Sequence, residues 1–379
     1  MERMGQIIKV GITGNNGFIG SHLNNFLSTK LNEIELIYFK RSYFDDDTKL
    51  QNFVSSCDII IHAAAMNRHE DEQFIYNTNV TLTHKIINAC KFTESRPKII
   101  FCSSTQETKD NLYGKSKKDS KKYLEDWASE NSGKVLSLII PNVFGPFAKP
   151  HYNSFIATFS NQLIHNENSK INDNEVKLIY VNDLSKIIYN EIINKKVETI
   201  RSFEISHTSS RKVSEIYKLL KDYKLQYFDN GQLPKVHLNS FELDLFNTFR
   251  SYISKDYFPV KFAKHEDDRG AFVEIMRAGS AGQSSYSTTK PGITRGNHYH
   301  TRKVERFAVI SGKASIKLRK VNTDEIYEYI LDGNEPAYID MPIWFTHNIT
   351  NIGDTELITL FWINEPYNSD DSDTYFNEV

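Results

Sequence analysis

Three groups of side chains in this chain have the types and spacing to do chemistry. Tyr113 and Lys117 stand four residues apart, which on a helix sets a phenol and an ammonium on one face. A cation close by lowers the phenol's pKa, and the lysine can hold a nicotinamide ribose. The phenol can then give its proton to a carbonyl oxygen that receives hydride. Ser104, just after the apolar run Ile99–Cys102, is spaced to hydrogen-bond the same oxygen. In the second group His298 and His300 are two apart, so on a strand they share a face. Glu305 reaches the same centre from a hairpin partner, and His347 is available as a fourth ligand. Imidazoles with a carboxylate on a β scaffold suit Zn, Fe, Mn or Ni, and with no redox step required zinc is the expected divalent ion. The third group is the glycine triad Gly14, Gly17 and Gly20.

These groups need particular elements to position them. The glycines follow a short β-branched run and open a helical pattern at His22, Leu23, Phe26 and Leu27. In that setting the first glycine permits a tight turn, the second lets backbone approach a diphosphate, and the third lets helix pack on strand. The helix amino end adds free N–H groups and a positive dipole end. An acid at the end of the second strand would bind the ribose 2′-OH of NAD. That strand ends instead in Tyr38-Phe39-Lys40-Arg41, and the Lys40 and Arg41 cations favour a 2′-phosphate, so the expected cofactor is NADP(H). Further apolar runs at Ile34–Phe39, Asp58–Ala65, Ile99–Ser103 and Val135–Pro141 alternate with helical stretches at Thr78–Lys91 and Ser116–Ala128. This is the pattern of a doubly wound parallel sheet, a Rossmann-like α/β domain. Residues 151–250 are more polar, with helical stretches at Ser154–His165 and Val213–Leu220. Beyond residue 256 come short strands: Phe272–Met276, Ser284–Thr289, Arg306–Ile310, Ala314–Lys320, Glu325–Tyr329, Ala337–Asp340 and Glu356–Ile363. That rhythm predicts an all-β sandwich or barrel. The boundary falls near Ser251–Pro259, giving domains 1–253 and 254–379.

With 379 residues, 39% hydrophobic and 25% charged, the chain can bury two cores. Its net charge of −2 gives no argument for nucleic acid or a membrane surface. Residues 256–379 carry −6 and the remainder +4, which suits a first domain that binds phosphates. No run of about 18 apolar residues is present, which argues against a transmembrane helix. The first residues lack the apolar stretch of a signal peptide, so a cytoplasmic protein is expected. Cys57, Cys90 and Cys102 lack metal spacing and read as buried small hydrophobes.

Residues 6–185 resemble the extended short-chain dehydrogenase/reductases, in the branch that modifies nucleotide sugars. The matching pieces are Thr13-Gly14-Asn15-Asn16-Gly17-Phe18-Ile19-Gly20, Asp58 followed by His62-Ala63-Ala64-Ala65, and Asn79. Ser103-Ser104, Tyr113 with Lys117, Pro141-Asn142-Val143-Phe144-Gly145-Pro146 and Tyr180-Val181-Asn182-Asp183-Leu184 complete the match. The resemblance implies cofactor contacts from the glycine segment, including Asn16, Phe18 and Ile19, and from Asn79. It implies Asp58 near the adenine, Ala63, Ala64 and Ala65 along the nicotinamide, and Asn142 near the substrate. Only eight residues separate Ser104 from Tyr113, fewer than is usual in this branch, so the wall of the site should be cut down there. Sugar dehydratases of the branch carry acids directly after the active-site Ser/Thr. Thr105-Gln106 stand there instead, ahead of Glu107, which argues against dehydration.

Residues 285–352 resemble the paired motifs of the cupin superfamily, a jelly-roll barrel. The pieces are Gly292-x5-His298-x-His300-x4-Glu305-x6-Gly312 and Pro342–Asn351. Trp344 stands where a glycine is usual, and its indole is expected to narrow the pocket mouth. Asp268–Glu274 and Arg295–Tyr299 resemble segments of cupin epimerases that act on 4-keto sugar nucleotides. That implies substrate contacts from Arg269 and Arg295. His298 matches those enzymes' general base, but His300, Glu305 and His347 complete a metal set, so His298 is read as a ligand. Lys290 and Tyr299 remain as candidate bases. The chain as a whole resembles bacterial capsular polysaccharide enzymes that fuse the two domains. The resemblance implies a homodimer and two reactions on a UDP-linked 4-keto-6-deoxy-N-acetyl sugar. The cupin would epimerise C3, and the reductase would reduce the C4 ketone with NADPH to a UDP-2-acetamido-2,6-dideoxy-L-talose. Two other readings are a redox-neutral epimerase with a structural cupin, opposed by Lys40-Arg41, and a non-enzymatic sensor, opposed by the intact Ser104, Tyr113 and Lys117.

Overall fold

The computed structural model describes residues 7–194, 198–237, 240–267, 270–273, 275, 282–365 and 367–379. Two compact units emerge, residues 1–155 with 173–213, and residues 156–172 with 214–379.

The first unit contains β1 (Ile8–Thr13), β2 (Ile34–Ile37), β3 (Ile59–His62), β4 (Lys98–Ser104), β5 (Lys134–Ile140), β6 (Asn142–Phe144), β7 (Glu175–Tyr180), β8 (Ile200–Glu204) and β9 (Ser209–Lys212). Its helices are α1 (Phe18–Leu27), α2 (Asp47–Ser55), α3 (Glu72–Thr93) and α4 (Leu112–Asn131). After α5 (Phe155–Ile164), whose body belongs to the second unit, α6 (Val181–Ile193) completes it. Six strands form a parallel sheet in the order β2-β1-β3-β4-β5-β8, a Rossmann-like arrangement as expected. Its central strands are apolar on both sides because helices cover both faces. Leu23 and Leu27 of α1 and Leu184 and Ile188 of α6 pack with Ile12, Ile61 and Leu138 on one side. Phe53 of α2, Ile86 and Cys90 of α3, and Leu124 and Trp127 of α4 pack with Ile60 and Phe101 on the other. All three cysteines are buried and free, as expected. The small sheet β6-β7-β9 was not expected. Ser209-Ser210-Arg211-Lys212 has no apolar alternation to reveal a strand.

The second unit adds α7 (Val213–Tyr223) and α8 (Phe241–Arg250) to an all-antiparallel β region. Its strands are β10 (Val260–Lys261), β11 (Lys264–Asp267), β12 (Gly270–Val273), β13 (Gln283–Thr289), β14 (Thr294–Tyr299), β15 (Glu305–Ser311) and β16 (Lys313–Lys320). They continue as β17 (Ile326–Asp332), β18 (Ala337–Met341), β19 (Phe345–Asn351), β20 (Leu357–Ile363) and β21 (Tyr375–Phe376). Two five-stranded sheets run β10-β18-β15-β20-β13 and β17-β16-β19-β14-β21, with β11-β12 as a separate hairpin. This is the double-sheet architecture that the cupin resemblance predicts. Val309, Ile316, Leu318, Ile339, Ile349 and Leu357 form the core. β19 carries no strand signature in the sequence, because it puts polar residues at inward positions. Along β19 these are His347 and Asn351, each 1% exposed. Among the described residues no helix is long and apolar enough to cross a membrane.

A buried ion pair fixes the helical segment after α7 to this barrel. Arg306 Nε and Nη2 donate to the Asp340 carboxylate at 2.8 and 2.9 Å, and Nη1 donates to the Gly231 carbonyl at 2.9 Å. The Tyr227 hydroxyl donates to the same carboxylate at 2.6 Å. Breaking such a pair leaves an uncompensated buried charge, at a cost of about 3–5 kcal/mol. Asp340→Ala is therefore expected to lower the urea midpoint of this unit, read by the fluorescence of Trp344 and Trp362. A wild-type midpoint would contradict the assignment.

Candidate functional site

The first unit gathers its chemistry at the carboxyl ends of its parallel strands. Gly14 follows β1 with φ of +78°, and a Cβ there would stand 2.8 Å from both the N and Cα of Ala64. The turn closes through Gly17 N donating to Gly14 O at 2.8 Å, and a Cβ on Gly20 would collide with the same carbonyl. Phe18, Ile19 and Gly20 open α1, so their N–H groups have no helical acceptor and are free for an anion. Asn16 is exposed on this loop. Asn15 Nδ2 donates to Phe39 O at 3.1 Å, tying the loop to the segment after β2, where Lys40 and Arg41 are exposed. The glycine loop, Ala63–Ala65 and the two cations are thus brought to one end of the sheet.

Asp58 is a correction. It precedes β3, and its carboxylate accepts Lys9 N at 2.8 Å near the start of β1. The glycine loop and Ala63–Ala65 follow the carboxyl ends of those strands. Asp58 therefore stands at the opposite edge from the adenine position expected of it.

The Tyr113 group is assembled by β4 and α4. Ser104 ends β4, accepts Gln106 N at 3.2 Å, and hydrogen-bonds Tyr113. Lys117 is 4% exposed, and its Nζ donates to Cys102 O at 2.8 Å. Burial pushes Lys117 down to about 8. Burial pushes Tyr113 up to about 12, with the Ser104 hydrogen bond opposing. The lowered phenol expected from the neighbouring lysine is not found, because the ammonium is directed at Cys102 O, 6.0 Å from the Tyr113 ring centre. Tyr113 is therefore protonated at neutral pH.

Asn79 is also used differently from expectation. Its Oδ1 accepts Met66 N at 2.7 Å, and its Nδ2 donates to Met66 O and to Ser116 Oγ, both at 3.0 Å. Ser116 Oγ in turn donates to Tyr113 O at 2.6 Å. Asn79 braces the segment after β3 against the first turn of α4. A buried histidine in the segment that ends β3 extends this chain. His62 is bonded through Nδ1 to the Thr13 hydroxyl at 2.8 Å and through Nε2 to that of Thr83 at 3.2 Å. Burial, then the Lys117 charge, pushes its pKa down to about 3, so it is neutral.

The short connection from Ser104 to Tyr113 folds as a single turn, Thr105–Thr108, followed by Asn111 capping Gly114 N. Beside Tyr113, two other loops meet. Arg68 Nη1 donates to His151 O at 2.7 Å, and Asn67 N donates to the Tyr152 hydroxyl at 3.5 Å. Tyr152 is near enough to affect Tyr113 electrostatically. No sequence pattern marked Arg68 or Tyr152, because both lie in loops. Asn142 is exposed at the start of β6 and donates to Lys177 O at 3.4 Å.

In the second unit His298, His300, Glu305 and His347 converge, with one ligand atom from each within 4.8 Å of the others. The register explains this, since His298 on β14 lies directly opposite His347 on β19. His300 Nε2 stands 2.9 Å from Glu305 Oε2, and His347 Nε2 stands 3.3 Å from the same oxygen. Glu305 is 6% exposed, yet His300 and His347 hold its carboxyl well below the usual range against the effect of burial. His298 is pushed down to about 4 by burial and by His347 and His300. His300 is raised because Glu305 outweighs burial. His347 Nε2 is buried without a hydrogen-bond partner. A buried imidazole nitrogen without a hydrogen bond, a second, neutral imidazole and an ionised carboxylate converging on one point fit a divalent cation.

Two further expectations are corrected here. Tyr299 sits between the two histidines on β14 and so faces the other way, stacked between Trp344 and Tyr375 at 5.6 and 5.3 Å. It is not a base at this centre. Trp344 is fully buried against Tyr299, with φ of +62°, and does not narrow the mouth. Lys290 is exposed, and Arg295 is exposed on β14 with Nη1 donating to Thr288 O at 3.4 Å. Arg269 lies outside the described residues.

The chain is similar to known proteins. Residues 10–195 match the NAD dependent epimerase/dehydratase family, and residues 265–375 match the polysaccharide biosynthesis C-terminal domain. The chain is 30% identical over 371 residues to a UDP-2-acetamido-2,6-beta-L-arabino-hexul-4-ose reductase of Pseudomonas aeruginosa, covering 97% of this chain and 98% of that protein. It is 34% identical to the capsular polysaccharide assembling protein CapF of Staphylococcus aureus, whose crystal structure superposes with a TM-score of 0.59, covering 98% of this chain and all of that one. RMD from Pseudomonas aeruginosa, solved with NADPH, shares the first unit's fold at 18% identity and TM-score 0.52, covering 57% of this chain and 81% of that one.

The Lys117 ammonium carries its charge below pH 8 and loses it above. For a reduction that relies on it, kcat/KM should be level from about pH 6.5 to 7.5 and fall roughly tenfold per unit well above pH 8. A profile level to about pH 9.5 would rule out a role for the charged lysine.

Proposed function

The chain belongs to the family of the CapF capsular polysaccharide assembling protein, and from that membership we propose that it is a bifunctional nucleotide-sugar enzyme. In this reading residues 254–379 are a metal-dependent cupin epimerase and residues 1–253 an NADPH-dependent reductase. The first acts at C3 of a UDP-2-acetamido-2,6-dideoxy-4-keto-hexose. The second reduces the C4 ketone to UDP-2-acetamido-2,6-dideoxy-L-talose, toward UDP-N-acetyl-L-fucosamine for capsule or O-antigen polysaccharide. The observation that carries the reading is the pairing in one chain of a Ser104–Tyr113–Lys117 group beside a glycine loop with a separate three-histidine, one-carboxylate centre. The name of the full-length Pseudomonas aeruginosa relative, a 4-ulose reductase, supports the same substrate class.

A reduced nicotinamide, when bound, supplies hydride, and a divalent cation supplies Lewis acidity toward a ketone oxygen. The chain's own residues do the rest. The first turn of α1 offers N–H groups to a diphosphate across the turn that Gly14 and Gly17 shape, with Asn16, Phe18 and Ile19 around it. Lys40 and Arg41 offer two cations to a 2′-phosphate, and Ala63–Ala65 leave room for a flat ring. Lys117, held by Cys102 O, offers N–H donors to ribose hydroxyls. Tyr113, hydrogen-bonded by Ser104, keeps its proton until C4 becomes tetrahedral and then gives it to the oxygen. His298, His300, Glu305 and His347 would hold the cation, most simply zinc. The 4-ketone acidifies the neighbouring C3–H, so removing that proton and returning it to the opposite face inverts C3. Asn142, Arg269 and Arg295 are assigned to the sugar nucleotide, and a homodimer is the proposed assembly.

Two measurements test this. kcat/KM should favour NADPH over NADH, and Lys40→Ala/Arg41→Ala should erase the preference; equal or reversed preference in the wild type would sink the cofactor assignment. In D2O without NADPH, the 4-keto substrate should take up deuterium at C3, read by NMR. His300→Ala should suppress the exchange, while Tyr113→Phe should leave it and abolish NADPH oxidation. The opposite pattern would move the epimerase to the first unit and make the cupin structural.

A further inference from the structure

We propose that the segment Asp373–Asn377 is a strap that sets the ligand geometry of the His298–His300–Glu305–His347 centre, with Asp373 as its positioning residue. The inference rests on the reading of that centre as a metal site. Asp373 is 3% exposed and has φ of +41°. Its carbonyl accepts from His300 Nδ1 at 2.5 Å. That bond puts the ring proton on Nδ1 and leaves Nε2, 2.9 Å from Glu305, as the atom facing the centre.

The Asp373 carboxylate does separate work. It accepts the N–H of Thr301 at 3.1 Å, of Arg302 at 3.0 Å and of Lys303 at 3.1 Å, and the Thr301 hydroxyl at 2.6 Å. Three successive N–H groups around one carboxylate form an anion nest. This nest fixes the turn that joins His300 to Glu305. One residue therefore orients one ligand through its carbonyl and spaces that ligand from the next through its side chain.

The same segment reaches the other two histidines. β21 pairs with β14, Phe376 lying opposite His298. Asn377 N donates to Asn297 O at 2.9 Å, beside His298, where the chain bulges and Asn297 has φ of +61°. The Thr346 hydroxyl donates to Asn377 O, beside His347. Each histidine-bearing segment is thus held by this strap. A clasp that merely closed the sheet edge would need the β21–β14 pairing alone, not a buried carboxylate on the ligand turn or a carbonyl on a ligand ring.

The test uses the full-length protein stripped with chelator, with zinc titrated against a chromophoric competitor and the melting temperature measured with and without zinc. The wild type is expected to bind one zinc per chain. Asp373→Ala should weaken zinc binding about 10–100-fold, as loss of a partner behind a ligand does. Asp373→Asn keeps one oxygen acceptor and should lie between. NADPH binding, monitored by fluorescence, should be unchanged in both and reports that the first unit is folded, while a cooperative melting transition without zinc reports the second. Equal zinc affinity in wild type and Asp373→Ala overturns the inference while leaving the metal site standing. A wild type that binds no zinc overturns the metal reading and this inference together. Should Asp373→Ala fail to fold, Thr301→Val decides, since it removes the hydroxyl bond to the strap. A several-fold loss supports the inference and an unchanged affinity overturns it.

Discussion

The Glu305 carboxylate, held ionised between two imidazoles in the barrel interior, is the interaction on which the second unit depends. Burial alone would protonate it, and the His300 and His347 rings reverse that tendency. His298 goes the other way, pushed down first by burial and then by the His347 and His300 rings, which face it at 4.6 and 5.0 Å. The result is a charge-asymmetric cluster with donor atoms aimed inward. Such a cluster is costly to assemble, and several unusual local features serve it. The chain bulges between Gly296 and His298 to bring that ring opposite His347. Trp344 takes a left-handed conformation, and its backbone N–H donates to His300 O at 2.8 Å. The indole stacks on Tyr299, so the strand residue between the two histidines is locked facing away.

The first unit solves a different problem. A nucleotide site of this kind displays backbone N–H groups rather than side chains, so its constraint is close approach. Gly14 lies against Ala64 so tightly that no Cβ fits. That contact fixes the end of β1 against the end of β3, and the Thr13–His62–Thr83–Asn79–Ser116 hydrogen bonds carry the registration on to α4. Tyr113 is thereby placed by the same network that shapes the glycine loop. The buried His62 can serve as a link because it is neutral, with both ring nitrogens engaged.

What could be read before folding was set by geometry that is local in sequence. The glycine triad, Tyr113 with Lys117, and His298 with His300 each carry their meaning in spacing alone, and the two fold classes followed from period and strand rhythm. Strand direction and parity were also legible in principle. Asp58 precedes its strand by one residue and so belongs at the amino edge, and Tyr299 lies between two inward residues and so faces out. What could not be read depends on contacts distant in the chain. Asn79 looks like a free amide until Met66 and Ser116 are seen to use it. β19 is hidden because His347 and Asn351, which it turns inward, are polar. Asp373 is separated from the turn it holds by 72 residues at Thr301.

The order of proton affinities around Tyr113 bears on how such a site can run a reduction. A phenol lowered toward neutrality would give its proton more readily but would be partly ionised before hydride arrives. Burial instead keeps Tyr113 protonated, pushed up to about 12, while Ser104 partly offsets the shift. An alkoxide forming at a reduced ketone is a stronger base than this phenolate, so the proton moves downhill once the charge appears and not before. Lys117 is pushed the other way, to about 8, because its ammonium is buried with one carbonyl for company. Each further donor it satisfies would stabilise the charged form. A polyhydroxylated ligand bound there would therefore raise the lysine's proton affinity as it bound, and in doing so place a firm positive charge next to the phenol at the step where phenolate must be tolerated.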